Sequence, residues 1–238
     1  MSERHESYRT WVRFELKRKD DSVVKLRIQD LPLDRIDDAT EFLLNNYMKE
    51  ESFQVAAGIP KNEEAILENL KIKRSMLERP NISSVMCCLD DQDTVGEIIG
   101  LSIMGLDKNS EKLKNIVRGM EFKTKEIKNL FHILLVLEEY VGDKSFETYY
   151  GDRGLSVHPD YRGLGLANEF VRVRKLICIE HKVPMACAWM TAIESQKAAA
   201  KNNWKTLTEI SPEELEKLTG LKFEKKVPSF KLMYTTTD

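Results

Sequence analysis

The sequence predicts an α/β protein, and three observations carry that prediction. Strand-like runs occur on both sides of helical ones, and several are joined by short polar turns of hairpin length. One block, Thr148 to Lys182, reads strand, glycine-containing turn and helix without interruption. At 238 residues the chain can bury one sizeable core. No internal repeat or low-complexity linker divides it, so a single domain over residues 1–238 is expected.

Trp11 to Arg18 alternates apolar and polar residues, and Lys19-Asp-Asp21 turns the chain into a second strand-like run, Val23 to Leu31. Asp34 to Lys49 has helical spacing, with Ile36, Ala39, Phe42, Leu43 and Tyr47 on one face. Asn62 is an N-cap residue for a helix that runs to Arg79 and closes at Pro80. Ser83 to Leu89 and Val95 to Leu106 read as a hairpin about the polar turn Asp90 to Asp93. Ser110 to Val141 is mostly helical, broken near Gly119, with Leu130, Ile133, Leu134 and Leu137 needing burial.

Thr148 to Val157 is rich in aromatic and β-branched residues and reads as a strand ending at His158-Pro159. From Leu164 a helix follows, with Leu166, Phe170, Val173, Ile177 and Cys178 at steps of three and four. Pro184 to Thr191 is a further strand and Ser195 to Trp204 a short alanine-rich helix, Ser195 being a candidate N-cap. Glu213 to Thr219 is a helix capped by Ser211 and stopped by Gly220, and Phe230 to Thr236 is the last strand.

Composition excludes several function classes. A formal charge of −2 argues against a nucleic-acid binder, which usually carries a basic excess. No apolar run approaches the ~18 residues needed to span a bilayer, and the charged start, MSERHESYRTWVRFELKRK, has no secretory apolar region. The four cysteines, Cys87, Cys88, Cys178 and Cys187, form no C-x-x-C pair, which predicts reduced thiols, no metal site and a cytoplasmic protein. No feature marks an exposed apolar face, which favours a monomer.

The turn at Pro159 to Ala167 has the makings of an anion site. The first amides of a helix lack internal partners and sit at the positive end of its dipole. Gly163 and Gly165 have no Cβ to keep a phosphate from the backbone, and Arg162 adds a fork of donors. A P-loop would need Gly-Lys-Ser/Thr, which is missing, and a dinucleotide fingerprint would need a glycine where Asn168 stands. What remains is Arg-x-x-Gly-x-Gly/Ala, met by Arg162-Gly163-Leu164-Gly165-Leu166-Ala167.

With the preceding Leu155-Ser-Val-His-Pro159, this block resembles motif A of the GNAT acyl-coenzyme A N-acyltransferases. Its fuller form, Ser156-Val-His-Pro-Asp-Tyr-Arg-Gly-Leu-Gly-Leu-Ala167, is similar to that of the insect arylalkylamine N-acetyltransferases. The resemblance covers residues 23 to 238 and makes the strand within residues 8–20 an N-terminal extension. It implies a central, mixed, mostly antiparallel sheet flanked by helices, in which Tyr149–Val157 and Met185–Thr191 splay apart. It implies acetyl-CoA as cosubstrate and a small amine as acceptor. Leu155, Ser156 and Val157 would meet the pantetheine arm, Arg162, Gly163, Leu164, Gly165, Leu166 and Ala167 the diphosphate, and Ser195 and Lys197 would lie beside the cofactor. The amide of Val157 would hold the oxyanion.

The same resemblance aligns Tyr47-Met-Lys-Glu-Glu-Ser52 with a motif that carries the family's base and puts that role on Glu51. Ser52 stands where proline is usual. A carboxylate suits the chemistry, because an alkylamine of pKa near 10 is only about one part in a thousand neutral at pH 7. Attack on a thioester needs the lone pair, so a base must take the proton. Many relatives protonate the leaving thiolate with a tyrosine, whose position falls on Ala199 here; Thr191 and Ser195 are the matching hydroxyls of the insect enzymes. The default acceptor is an arylalkylamine of the dopamine, tyramine, octopamine and serotonin class. A polyamine or agmatine acceptor, a longer acyl-CoA donor, and a non-catalytic CoA-binding protein are the alternatives.

Overall fold

The computed structural model describes residues 8–18, 20–90, 95–141 and 146–237. Lys19 and residues 91–93, expected in turns, lie outside the described residues. Eight strands are present: β1 (Thr10–Lys17), β2 (Val23–Asp30), β3 (Ile82–Leu89), β4 (Gly100–Lys108), β5 (Thr148–Val157), β6 (Met185–Met190), β7 (Lys205–Ile210) and β8 (Phe230–Thr236). They form one sheet in the order β1-β2-β3-β4-β5-β6-β8-β7. Every neighbouring pair is antiparallel except β5 and β6, which run parallel.

That parallel pair is where the sheet comes apart. Although β5 has ten residues, it meets β6 only at Tyr150↔Ala186 and Gly151↔Cys187. A register shift explains the early divergence. Ile103 of β4 faces Gly154 while Met104 faces Asp152, leaving Arg153 as the extra residue of a β-bulge. A bulge bends its strand and raises the local twist. Gly154 adopts φ +139, and a Cβ there would stand 3.4 Å from the Tyr47 ring. Glycine is therefore required by the backbone, while the ring leaves a Cβ only ordinary van der Waals contact.

Helices cover both faces. On one, α6 (Leu166–Glu180) and α7 (Ile193–Lys201) bury Phe170, Val173, Ile177 and Ala199 against Leu26, Ile28, Cys87 and Val157. On the other, α1 (Ile36–Leu43) sets Ile36, Phe42 and Leu43 on Met86, Cys88 and Leu101. Adjacent Cys87 and Cys88 thus serve opposite faces, as strand alternation requires, and all four cysteines are buried and outside any disulfide. Next to α1 lie α2 (Ser52–Ala57), α3 (Glu63–Leu77), α5 (Lys125–Val141) and α8 (Pro212–Thr219), which share a second apolar cluster. The short α4 (Leu113–Val117) leads into α5.

Several boundaries differ from those the sequence suggests. β4 starts at Gly100, not Val95, and α6 at Leu166, not Leu164. Helix α7 starts at Ile193 with Ala192 as its N-cap, so Ser195 lies inside it. Its hydroxyl instead donates to the Ala192 carbonyl at 2.8 Å. The helix expected to Lys49 changes at Leu44–Met48 into a π turn. Such a turn widens the backbone, and here the Asn46 carbonyl accepts the Ser156 hydroxyl at 2.7 Å. Two elements are absent from the sequence reading: α2, too short to display a helical period, and β7, an edge strand with five of six residues not buried.

Arg174 pins the bulge from the α6 side. It is 1 % exposed, and it donates to Ser102 Oγ at 2.9 Å, Asp152 Oδ1 at 2.5 Å and the Gly154 carbonyl at 3.2 Å. Removing one partner of a buried pair strands the other, at a cost of about 3 kcal/mol or more. Arg174→Met is therefore expected to lower unfolding stability by about 3 kcal/mol, read from urea denaturation. Unchanged stability would mean the bulge holds without it.

Candidate functional site

A cleft of about 1320 Å³ opens where β5 and β6 part. It is lined by the glycine turn and the start of α6, and by residues of α4, α5, β5, β6 and β8. Leu155, Ser156 and Val157 line it from β5, and Thr191 follows the end of β6. Arg162, Gly163, Gly165, Leu166, Ala167, Ser195 and Lys197 line it as well, whereas Leu164 does not.

The glycine turn is shaped by conformation and not by crowding. Gly163 has φ +77 and Gly165 φ +96, and nothing lies within 4 Å of a Cβ built on either. A side chain would be strained there in open space. Gly165 is the N-cap of the fifteen-residue α6, and no side chain caps that end. Its first amides are thus left to a ligand or to water.

Arg162 is arranged differently from the free phosphate fork the motif suggests. Its Nε donates to the Val157 carbonyl at 2.9 Å and its Nη1 to Glu50 Oε2 at 2.7 Å. Val157 is one of the groups expected to pair with pantetheine. A carbonyl has two lone pairs, so one acceptor site remains on it.

Glu51 sits at the hinge between the π turn and α2. Its amide donates to the Tyr47 carbonyl at 2.9 Å. As the N-cap of α2 its Oε2 accepts from the amides of Phe53 and Gln54, both at 3.0 Å. Oε1 accepts from the Thr191 hydroxyl at 3.1 Å. Burial pushes the carboxyl above its ordinary range, while the two amides, Thr191 and the Lys73 charge pull it back. The structure therefore brings Glu51 and Thr191 into contact, and it leaves Ser195 bonded to Ala192 nearby on the cleft wall.

Ser52 occupies the first helical position of α2 and is buried. That is the position where proline fits a helix most readily, since its missing N–H has no internal partner anyway. Serine in place of proline thus leaves the backbone free to keep its course. Its hydroxyl reaches toward the Thr191 carbonyl at 3.5 Å. Ala199, the position for a tyrosine acid, is fully buried and packs in the core beneath α7.

The sequence reading passes over four residues around this site. Gln196 on α7 is buried and donates to the carbonyls of Met190 and Ser229, tying the end of β6 to the approach of β8. Asp152 and Arg174 form the buried pair at the bulge. Lys73 of α3 lines the cleft and donates to the Arg153 carbonyl at 2.9 Å. Two of them carried a legible signal. Arg174 lies four residues after Phe170 and three before Ile177, on the apolar stripe of its helix. Lys73 falls on the stripe of α3 marked by buried Ala65, Asn69 and Leu77. A cation on a buried stripe must have a partner. Among the described residues no group of three or more His, Cys, Asp or Glu is placed to hold a metal, and no helix is long and apolar enough to cross a membrane.

Burial of Glu51 has a consequence for stability. Its folded-state pKa lies above the unfolded value, so its contribution is most favourable below the ordinary carboxylate range and is lost as pH rises through the folded value. The neutral Glu51→Gln keeps an oxygen to accept from Phe53 and Gln54. At pH 7 this variant is expected to match or exceed the wild type in Tm, with the difference moving toward the wild type as pH falls to 4. A wild type that gains on the variant at high pH would show that the carboxylate is not desolvated.

No protein-family model matches the chain, and no curated protein matches it at significance. Solved structures do. A mosquito protein from Aedes aegypti, assigned as arylalkylamine N-acetyltransferase 7, superposes with a TM-score of 0.80 at 24 % identity, over 100 % of this chain and 98 % of its own. Arylalkylamine N-acetyltransferase 2 of Aedes aegypti gives 0.70 at 18 % identity, covering 90 % and 99 %. A Drosophila melanogaster polyamine N-acetyltransferase that forms N-acetylagmatine gives 0.72 at 14 %, covering 89 % and 99 %. The chain has the GNAT acetyltransferase fold, with the mixed sheet and the parting central strands that the motif implies.

Proposed function

We propose that the protein transfers an acetyl group from acetyl-CoA to the primary amine of a small arylalkylamine, with Glu51 as general base. The observation that carries this reading is a desolvated carboxylate lining the cleft between β5 and β6, with an uncapped helix N-terminus lining the same cleft. The first supplies a base and the second a diphosphate site, and the parted strands leave unpaired backbone for a pantetheine arm. The fold shared with N-acetyltransferases supports the same assignment.

The residues divide the work. Glu51 takes the proton of the ammonium, directly or through water, and the neutral amine attacks the thioester carbonyl. The tetrahedral intermediate collapses as the C–S bond breaks, and the thiolate leaves with the proton that the new ammonium releases. Thr191 donates to Glu51, which keeps the carboxylate oriented and charged. A hydroxyl is too weak an acid to be the outright proton source for sulfur, so Thr191 and Ser195 act through hydrogen bonds or water. Gly163, Gly165, Leu166 and Ala167 hold the diphosphate through their amides, with Lys197 beside it and Arg162 swinging from Glu50.

The far wall of the cleft favours an acceptor with an apolar body. Phe131, Leu134, Leu137, Tyr149, Trp189 and Leu232 line it. The acids there are engaged: Asp107 pairs with Arg153, Glu111 with Lys108 at 3.4 Å, and Glu138 accepts from the Leu113 amide at 2.8 Å.

Thiol release from acetyl-CoA against a panel of amines tests the reading. Turnover with aromatic amines is expected, with kcat/KM falling ~10²-fold or more in Glu51→Gln and the loss deepest at low pH. Equal rates in both proteins would remove Glu51 from the mechanism, turnover with polyamines alone would move the substrate, and binding without turnover would leave a CoA-binding protein.

A further inference from the structure

Lys73 has no place in the site the sequence suggests, yet its ammonium ends in the cleft. It comes from the stripe of α3 that also buries Ala65, Asn69 and Leu77. Two contacts fix its head. Nζ donates to the carbonyl of Arg153, the residue that bulges out of β5, at 2.9 Å. It also stands 5.4 Å from the centroid of the Tyr47 ring, at cation–π distance. Tyr47 in turn packs against Gly154 on the far side of the bulge and accepts the Glu51 amide through its carbonyl. Lysine, ring, bulge and glutamate are therefore one contiguous unit.

We infer that Lys73 is the positioning residue of this site: its ammonium, on the Arg153 carbonyl and against the Tyr47 ring, fixes the β5 bulge and sets a positive charge beside the segment that carries Glu51. The catalytic consequence rests on the acetyl-transfer reading; the electrostatic one does not. Several charged and titratable groups face this ammonium. Glu51 and Tyr47 come from the segment between α1 and α2, and Asp152 and Arg153 from β5, with Arg174 of α6 behind Asp152. Burial lowers Lys73 to about 8, against the pull of Asp152 and Glu51, so it stays largely charged at neutral pH. Asp152 is already held by Arg174. Among the described residues Glu51 makes no ion pair, its other partners being amides and a hydroxyl. Lys73 adds a positive charge whose pull on it is smaller than that of the two amides and the Thr191 hydroxyl.

Titrating the Glu51 side-chain carbon by NMR in ¹³C-glutamate-labelled protein tests this, with Glu51→Gln assigning the signal. In Lys73→Met the midpoint is expected to move to higher pH, and in Lys73→Arg, which keeps the charge, to stay near the wild type. An unmoved midpoint in a folded Lys73→Met protein would overturn the inference; if that variant does not fold, Lys73→Gln makes the same comparison. In amine acetylation, Lys73→Met should lose ~tenfold more kcat/KM at pH 6 than at pH 9, and Lys73→Arg should recover it. A loss equal at both pH values would reduce Lys73 to a structural role. Absence of turnover in the wild type would sink the acetyl-transfer reading, while the NMR midpoint would still decide the role of Lys73.

Discussion

The constraint on which this structure turns is the early parting of β5 and β6. Parallel strands lying side by side would normally pair along their length, and leaving backbone groups unpaired inside a protein is costly. Here the pairing stops after two positions, and the bulge at Arg153 is the reason. A strand that bends away from its neighbour needs something to hold the bend. The structure supplies a cation on each side: Arg174 reaches Asp152 and the Gly154 carbonyl from one face, and Lys73 reaches the Arg153 carbonyl from the other. Three consecutive residues of β5 are thus held by two charged side chains from helices on opposite layers.

The placement of Glu51 follows from the same bend. Tyr47 packs on the side of Gly154 that has no Cβ, and the π turn that carries Tyr47 is tied to β5 again by the Ser156 hydroxyl on Asn46. The chain then delivers Glu51 as the cap of α2, facing Thr191 across the opening. A capping carboxylate is usually solvated and content. This one is desolvated, so its two helix amides, one hydroxyl and one distant cation offset the burial only in part. A carboxyl raised in this way has the property that the proposed role of Glu51 as proton acceptor would draw on.

The elements with strong periodicity were legible in the sequence. β5 and β8 have the ends the residue pattern gives them, and the apolar steps of Leu166, Phe170, Val173 and Ile177 are all buried in α6. The glycine turn was legible because Gly163 and Gly165 have a job only glycine does cheaply, a left-handed backbone at a helix start. What stayed hidden is tertiary. Nothing local marks Arg153 as an extra residue, since a bulge exists only relative to the partner strand. Six-residue α2 is too short for a period, and exposed β7 reads as loop. The partners of Arg162 were also hidden, because a motif names a residue type and not where its side chain rests.

Arg162 shows how two parts of the cleft wall are connected. Its guanidinium bridges the Val157 carbonyl, at the end of the splayed strand, to Glu50, the immediate neighbour of the candidate base. The bridge is half-exposed at both ends, so it adds little stability and can be given up cheaply. A diphosphate arriving at the α6 N-terminus would compete for the same guanidinium with more charge than a single carboxylate offers. The arginine that the motif assigns to the cofactor therefore rests on the segment that carries the candidate base.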